Sequence, residues 1–243
     1  MPEKFPISRQ PLFLQVKRAI VHNISSGEWP PGAMIPSEPE LCAKFGVSIG
    51  TLRRAIGELV AEEKLIRRQG HGTFVRSYNH NTYWNRFQRY ESSEGKLIVW
   101  SSELVQFEKL PATETIAKAL GLTPGEQVIH FVRKIWKADK TIYCGRDDVY
   151  LPANKCSGLN PSDFDNLSCS LYAFFERKLN IVITSVSDSL QAFIVDDALS
   201  SFTGLSVGKP MFCLTRIGYT YNQSPIEYRI EYTLAEELKI RLN

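Results

Sequence analysis

The chain runs to 243 residues, 43% of them hydrophobic, with 29 Lys/Arg against 26 Asp/Glu. Such a length suits two modest domains better than one, and such a composition argues against wholesale disorder. The net charge of +3 is unevenly spread: residues 1–80 hold 11 basic and 7 acidic side chains, and residues 81–243 hold 18 and 19.

Residues 1–9 read as a short arm. From Pro11 onward Leu12, Val16, Ile20 and Ile24 recur every fourth residue, which predicts a helix with one buried face. Pro11 suits its first turn and Gly27 its end. Glu28-Trp29-Pro30-Pro31-Gly32 cannot continue a helix and is expected as an extended connector. Ser37-Glu38-Pro39-Glu40 is a capping-box pattern opening a second, short helix, with Leu41 and Phe45 inward and Gly46 at its end. Ser48 can cap a third helix, whose inward stripe is Leu52, Ile56, Leu59 and Val60. Its exposed first turns carry Ile49, Gly50, Thr51, Arg53 and Arg54. Residues 65–68 and 73–75 alternate as strands around Gln69-Gly70-His71-Gly72, where the glycines permit positive φ. Two short helices, a tight turn and a glycine-tipped hairpin form the pattern of a winged helix-turn-helix, which lays one helix in the DNA major groove and a wing on the backbone. The basic excess in this part is what a phosphate-binding surface requires.

This head is expected over residues 1–76 and a linker over 77–95, polar and aromatic without clean periodicity, with Trp84, Phe87 and Tyr90 packing somewhere. A second domain follows over 96–243. Extended runs are expected at 97–107, 127–138, 141–151, 181–193, 211–221 and 226–234, with turns at Asp139-Lys140 and Asn222-Gln223. Helical runs are expected at 113–120, 170–179 and 196–203. The fold class is therefore α+β, the second domain being dominated by antiparallel sheet.

Five cysteines (Cys42, Cys144, Cys156, Cys169 and Cys213), an odd number without a C-x-x-C pair, argue against a disulfide framework and a zinc knuckle. His22, His71, His80 and His130 show no metal-ligand spacing. No apolar run approaches the roughly 20 residues of a membrane-spanning helix, and MPEKFPISRQ lacks the apolar centre of a signal peptide. The expectation is a cytoplasmic protein with no membrane association, metal site or cofactor.

With both halves laid out, the chain resembles the GntR family of bacterial transcription regulators, in its HutC-like subgroup. The first match spans about residues 11–75, on Pro11-Leu12, Gly27-Glu28-Trp29-Pro30-Pro31-Gly32, Pro36-Ser37-Glu38, Gly46-Val47-Ser48, Thr51-Leu52-Arg53-Arg54-Ala55 and Arg68-Gln69-Gly70-His71-Gly72-Thr73-Phe74-Val75. About residues 97–240 are similar, on looser markers, to the UTRA effector domain: Ala119-Leu120-Gly121-Leu122, Arg133, Tyr150-Leu151-Pro152, Ser170-Leu171-Tyr172 and Ser224-Pro225-Ile226-Glu227. The resemblance implies a chorismate lyase-like second domain with flanking helices. It also implies a regulator, a repressor in the first instance, that binds a palindromic double-stranded operator as a homodimer. A small anionic metabolite in the UTRA domain would then change its DNA affinity.

On the same resemblance, candidate DNA contacts are Ser37, Ser48, Ile49, Thr51, Arg53 and Arg54, with Gly70, His71, Gly72 and Thr73 in the wing. Relatives commonly carry arginine at the positions of Pro39 and Ile49. A bidentate arginine on guanine is worth about 1–3 kcal/mol of discrimination, so their replacement implies an operator other than the usual one. Arg53 is the leading base contact, Arg54 is expected on phosphate, and Ile49 either meets a thymine methyl or packs. Positions matching the effector pocket are Arg133, Asp147, Ser168, Ser170 and Glu227. A guanidinium beside two hydroxyls suits a phosphate or carboxylate, and Glu227 can accept from a ligand hydroxyl or ammonium. The structural alternatives are a surface Arg133–Asp147 pair and a helix cap in Ser168-Cys169-Ser170. Ile135 stands where many phosphosugar-sensing relatives carry a second arginine, and alternation puts Arg146 on the face of Asp148, not Asp147.

Two further readings stand beside the regulator: an enzyme, on the fold analogy with chorismate lyase alone, and a regulator controlled by protein partners. No Ser-His-Asp motif, metal cluster, phosphate loop or catalytic carboxylate pair is evident, so no catalytic residue is assigned.

Overall fold

The structure, a computed structural model, describes residues 10–77, 87, 89–92, 94–96, 98, 100–137, 143–165, 167, 170–236 and 238–241. The chain divides into two compact units, residues 1–77 and 78–243.

In the first unit α1 (Leu12–Ser25), α2 (Glu38–Phe45) and α3 (Ile49–Ala61) precede the antiparallel hairpin β1 (Leu65–Arg68) and β2 (Gly72–Val75). Val16, Ile20 and Ile24 are buried where α1 packs on α3, but Leu12 is exposed, so the apolar face begins one turn later than its spacing predicts. Lys17 ties the two helices from the rim, bonding Glu58 at 2.9 Å and also Glu62. The stripe of α3 is Leu52, Ala55, Ile56 and Leu59; Val60 is only half-buried, because Ala55 completes the 3.6-residue repeat that Val60 leaves. The connector at 28–32 bends instead of running extended, with φ of +81° at both Gly27 and Gly32. Its continuation lies along the hairpin: the Val75 N–H donates to Ala33 O at 2.8 Å and the Ile35 N–H to Thr73 O at 2.9 Å.

The second unit is built on a six-stranded antiparallel sheet in the order β4-β5-β6-β9-β8-β7. The strands are β4 (Trp100–Pro111), β5 (Gln127–Lys137), β6 (Tyr143–Pro152), β7 (Ser185–Ile194), β8 (Pro210–Tyr219) and β9 (Pro225–Leu234). Among the described residues three α-helices accompany them: α4 (Glu114–Leu120), α5 (Leu171–Leu179) and α6 (Asp197–Thr203). Side chains alternate across the sheet. On one face Tyr228 packs with Ile116, Ala117 and Leu120 of α4, and Leu234 packs with Leu199 of α6. On the other, Tyr172 of α5 reaches Glu227 and Arg229. One strand falls inside the stretch expected as linker. Residues Tyr90–Ser92 form β3, paired antiparallel with β10 (Leu238–Ile240), and Phe87 and Tyr90 are buried. A three-residue strand is too short to show alternation. Trp84 and the turn expected at Asp139-Lys140 lie outside the described residues.

Candidate functional site

The first unit presents a groove between its helices and the hairpin, lined among others by Glu38, Arg53, Ile56, Arg67 and His71. Both short helices start on capped ends. Ser48 Oγ accepts the Thr51 N–H at 3.3 Å and lies 3.0 Å from Thr51 Oγ1. The Glu40 carboxylate accepts the Ser37 hydroxyl at 2.7 Å and its N–H at 2.8 Å, bonds that hold Glu40 below the usual carboxylate range. Helix N-termini of this kind attract phosphate. On α3, Ile49 is exposed, and the well-exposed Arg53 donates from Nε to Glu38 Oε2 at 2.8 Å. That bond fixes the plane of the guanidinium while its two terminal nitrogens keep the spacing that matches guanine O6 and N7. Arg54 points elsewhere: it lies over the Phe13 ring at 3.8 Å, with Nε 3.9 Å from Glu58. At the hairpin tip Gly70 and Gly72 take φ of +73° and +108°, conformations open to glycine and strained for other residues. His71 closes the turn with Nδ1 2.8 Å from Gln69 O, Arg68 lies over Phe74, and Thr73 is half-buried.

The second unit holds a cavity of about 130 Å³ between the sheet and the start of α5. Its floor follows from register. Arg133, Asp147, Glu231 and Leu214 lie side by side on β5, β6, β9 and β8, and Arg229, Arg216 and Asp188 occupy the next row two residues along. Arg133 bonds Asp147 through Nη2 and the Ser102 hydroxyl through Nη1 at 3.2 Å. Arg216 forks onto Asp188 with two bonds of 2.7 Å and caps the Phe87 carbonyl at 2.8 Å. Arg229 sits among three carboxylates, 3.2 Å from Glu227, 3.6 Å from Glu231 and 3.8 Å from Asp147, and donates to Tyr172 Oη at 2.9 Å. Tyr172 in turn donates to Glu227 Oε2 at 2.5 Å. Burial raises the Tyr172 hydroxyl, with the Glu227 charge adding to it. Burial likewise raises Glu231, and the Asp147 charge pushes the same way. Bonds and charges of Asp188 and Tyr172 keep Arg216 charged against its burial. Among the described residues, Arg133 Nε and Asp147 Oδ1 are buried without a hydrogen-bond partner.

Residues 97–239 match the model of the UTRA domain, and residues 12–75 match that of the bacterial regulatory proteins of the gntR family. The chain belongs to the GntR family. It is 28% identical over 222 residues to the HTH-type transcriptional regulator YurK of Bacillus subtilis, covering 90% of this chain and 89% of that one. It is 27% identical over 225 residues to the mannosyl-D-glycerate transport/metabolism system repressor MngR of Escherichia coli, covering 91% of each. A 65-residue match at 49% identity to the histidine utilization repressor of Pseudomonas aeruginosa, 27% of this chain and 26% of that protein, supports the HutC-like subgroup. The ligand-binding domain of a GntR-family transcriptional regulator from Bordetella bronchiseptica superposes with a TM-score of 0.61 at 26% identity, covering 65% of this chain and 97% of that one. The chain is thus a transcription regulator with a GntR winged helix-turn-helix and a UTRA domain.

In the GntR head, Ser48, Ile49, Thr51, Arg53 and Arg54 lie at the start of α3, Ser37 caps α2, and Gly70, His71, Gly72 and Thr73 lie at the hairpin, with Thr51 and Thr73 half-buried and Arg54 turned onto Phe13. In the UTRA domain Arg133, Asp147 and Ser170 line one cavity. Ser170 is also a cap, accepting the Ala173 N–H at 3.1 Å. Glu227 is fully buried behind the cavity and connects to it through Tyr172 and Arg229; Ser168 lies outside the described residues. The Arg133–Asp147 pair exists, buried and not on the surface. Ile135 lines the cavity as an apolar patch, and Arg146 cannot replace the missing arginine, because it bonds Asp148 at 2.6 Å on the opposite face. Sequence reasoning missed Ser102, Tyr172, Arg216, Arg229 and Glu231. One signal was available: alternation from Glu227 carries the same face to Arg229 and Glu231.

Proposed function

We propose that this regulator is a cytoplasmic repressor that binds a palindromic operator as a homodimer and changes its DNA affinity when a small acid-bearing metabolite occupies the Arg133 cavity. The observation that carries this reading is the buried polar cavity in a domain linked to a DNA-binding head: a cluster of arginines and carboxylates under α5 is costly to fold around and gains its use from a polar ligand. The names of MngR and of the histidine utilization repressor, both repressors of metabolic systems, support the direction of control. Among the described residues no helix is long and apolar enough to cross a membrane.

In the head, Arg53 reads a base in the major groove with its orientation set by Glu38. Ser37, Ser48 and Thr51 meet phosphates at the helix starts, and Gly70, His71, Gly72 and Thr73 bring the wing to the backbone. Pro39 and Ile49 offer no guanidinium, so the operator differs from that of relatives with arginine there. The test is fluorescence anisotropy of the full chain on DNA from upstream of its own gene. Arg53→Ala is expected to weaken specific binding by about 1–3 kcal/mol with an unchanged thermal midpoint. Unaltered operator affinity would refute the contact.

A further inference from the structure

The arginines of the UTRA cavity are mostly engaged already, and, among the described residues, an unmatched carboxylate oxygen stands beside the one unmatched nitrogen of Arg133. Arg216 is forked onto Asp188, and Arg229 is enclosed by Glu227, Glu231 and Asp147. Asp147 and Glu231 stand directly opposite each other on β6 and β9, a like-charge pairing that Arg229, 3.8 and 3.6 Å away, offsets from one side while the cavity side of Asp147 stays without a donor. Both carboxylates line the cavity, Asp147 is only 1% exposed, and its Oδ1 has no hydrogen-bond partner among the described residues. A buried carboxylate oxygen left unmatched costs free energy that a donor from a ligand would recover. Arg133 Nε, beside it and also unmatched, offers one donor for an acid group, with the Ser102 hydroxyl next to it.

We propose that the effector is a zwitterion of amino-acid size, whose ammonium group lies between Asp147 and Glu231 and whose acid group meets Arg133 and Ser102. This rests on the reading of the cavity as the effector site and adds a cationic end to the acid-bearing ligand inferred there. Burial raises Glu231 and the Asp147 charge adds to it, and a cation placed between the two carboxylates offsets the second of these causes. The volume of about 130 Å³ is close to that of cavities that hold a benzene-sized molecule, of order 150 Å³, which suits an amino acid better than a disaccharide.

The experiment is thermal denaturation of the full chain with each common L-amino acid at about 10 mM, well above a millimolar dissociation constant. Each is compared with the same acid lacking its amine, the same amine lacking its acid, and inorganic phosphate. At least one zwitterion is expected to raise the midpoint by about 3 °C, its deaminated counterpart and phosphate are not, and Asp147→Asn removes the shift. Glu231→Gln, which keeps the Arg133–Asp147 bond, weakens the shift and serves if Asp147→Asn fails to fold. Equal stabilisation by a deaminated acid or by phosphate overturns the proposal, as does the failure of every ammonium compound. Operator binding with the same compounds separates the two readings. A zwitterion that binds through Asp147 without changing DNA affinity contradicts the effector reading alone. A deaminated acid that binds and changes DNA affinity contradicts the ligand class alone.

Discussion

Arg229 shows how individual side chains of the UTRA domain are bound to one another. Its guanidinium lies within 3.8 Å of three carboxylates, and its charged form is favoured, against its own desolvation, by Glu227, Tyr172 and Asp147. Arg229→Met is expected to cost about 3–5 kcal/mol, because it strands buried charge. Urea unfolding measures this, and a loss below about 1 kcal/mol, the range of an exposed pair, would contradict the burial. Gly218 has a related role. A Cβ there would lie 3.0 Å from Glu227 Oε2, so the cross-strand glycine makes the space Glu227 occupies. Arg53 and Arg54 differ in the head for an equally local reason, since one is oriented outward by Glu38 and the other is drawn onto Phe13.

At the scale of elements, β5 and β6 carry different chemistry on their two faces. Opposite the cavity, His130 lies between Glu108 at 3.1 Å and Asp148 at 3.2 Å and stacks on Tyr150 at 4.4 Å. Burial alone would lower the imidazole pKa, but the bonds to Asp148 and Glu108 outweigh it and the value is raised above 6.5. The contribution of this group to stability is therefore complete below its unfolded pKa and lost as pH rises through the folded one. Asp148, whose pKa burial would raise, is instead lowered by His130 and Arg146, so its contribution is lost as pH falls through its folded value. The difference in urea midpoint between the parent chain and His130→Gln should be larger at about pH 5.5 than at about pH 9; equal differences would contradict the pairing. In the head, Leu41 is fully buried on the one-sided helix α2, and Leu41→Ala should cost about 2–5 kcal/mol by the same assay. A loss below about 1 kcal/mol would contradict its place in the core.

For the whole molecule, the sequence was most legible where short-range rules decide the structure. The Ser37 and Ser48 caps, the Gly46 stop with φ of +63° and the Gly70–Gly72 tip are local features that stand as their residues predict. The cavity was legible only in part, because it depends on the strand order β4-β5-β6-β9-β8-β7, which brings Arg216 and Arg229 beside Arg133 from far along the chain. Nothing local distinguishes a buried strand arginine from a surface one. The ribbon of β3 and β10 joins residues about 150 apart and escaped notice for the same reason. The two units have separate cores, so a head of residues 1–77 can be compared with the full chain. A dimer that holds two heads on one palindrome gains affinity through effective concentration, typically by a factor of about 10²–10⁴. The most direct test is therefore equilibrium titration of the operator with both proteins at one salt concentration. The full chain is expected to bind at least about 10²-fold more tightly; equal affinity of the isolated head would contradict a dimer that seats two heads on one palindrome.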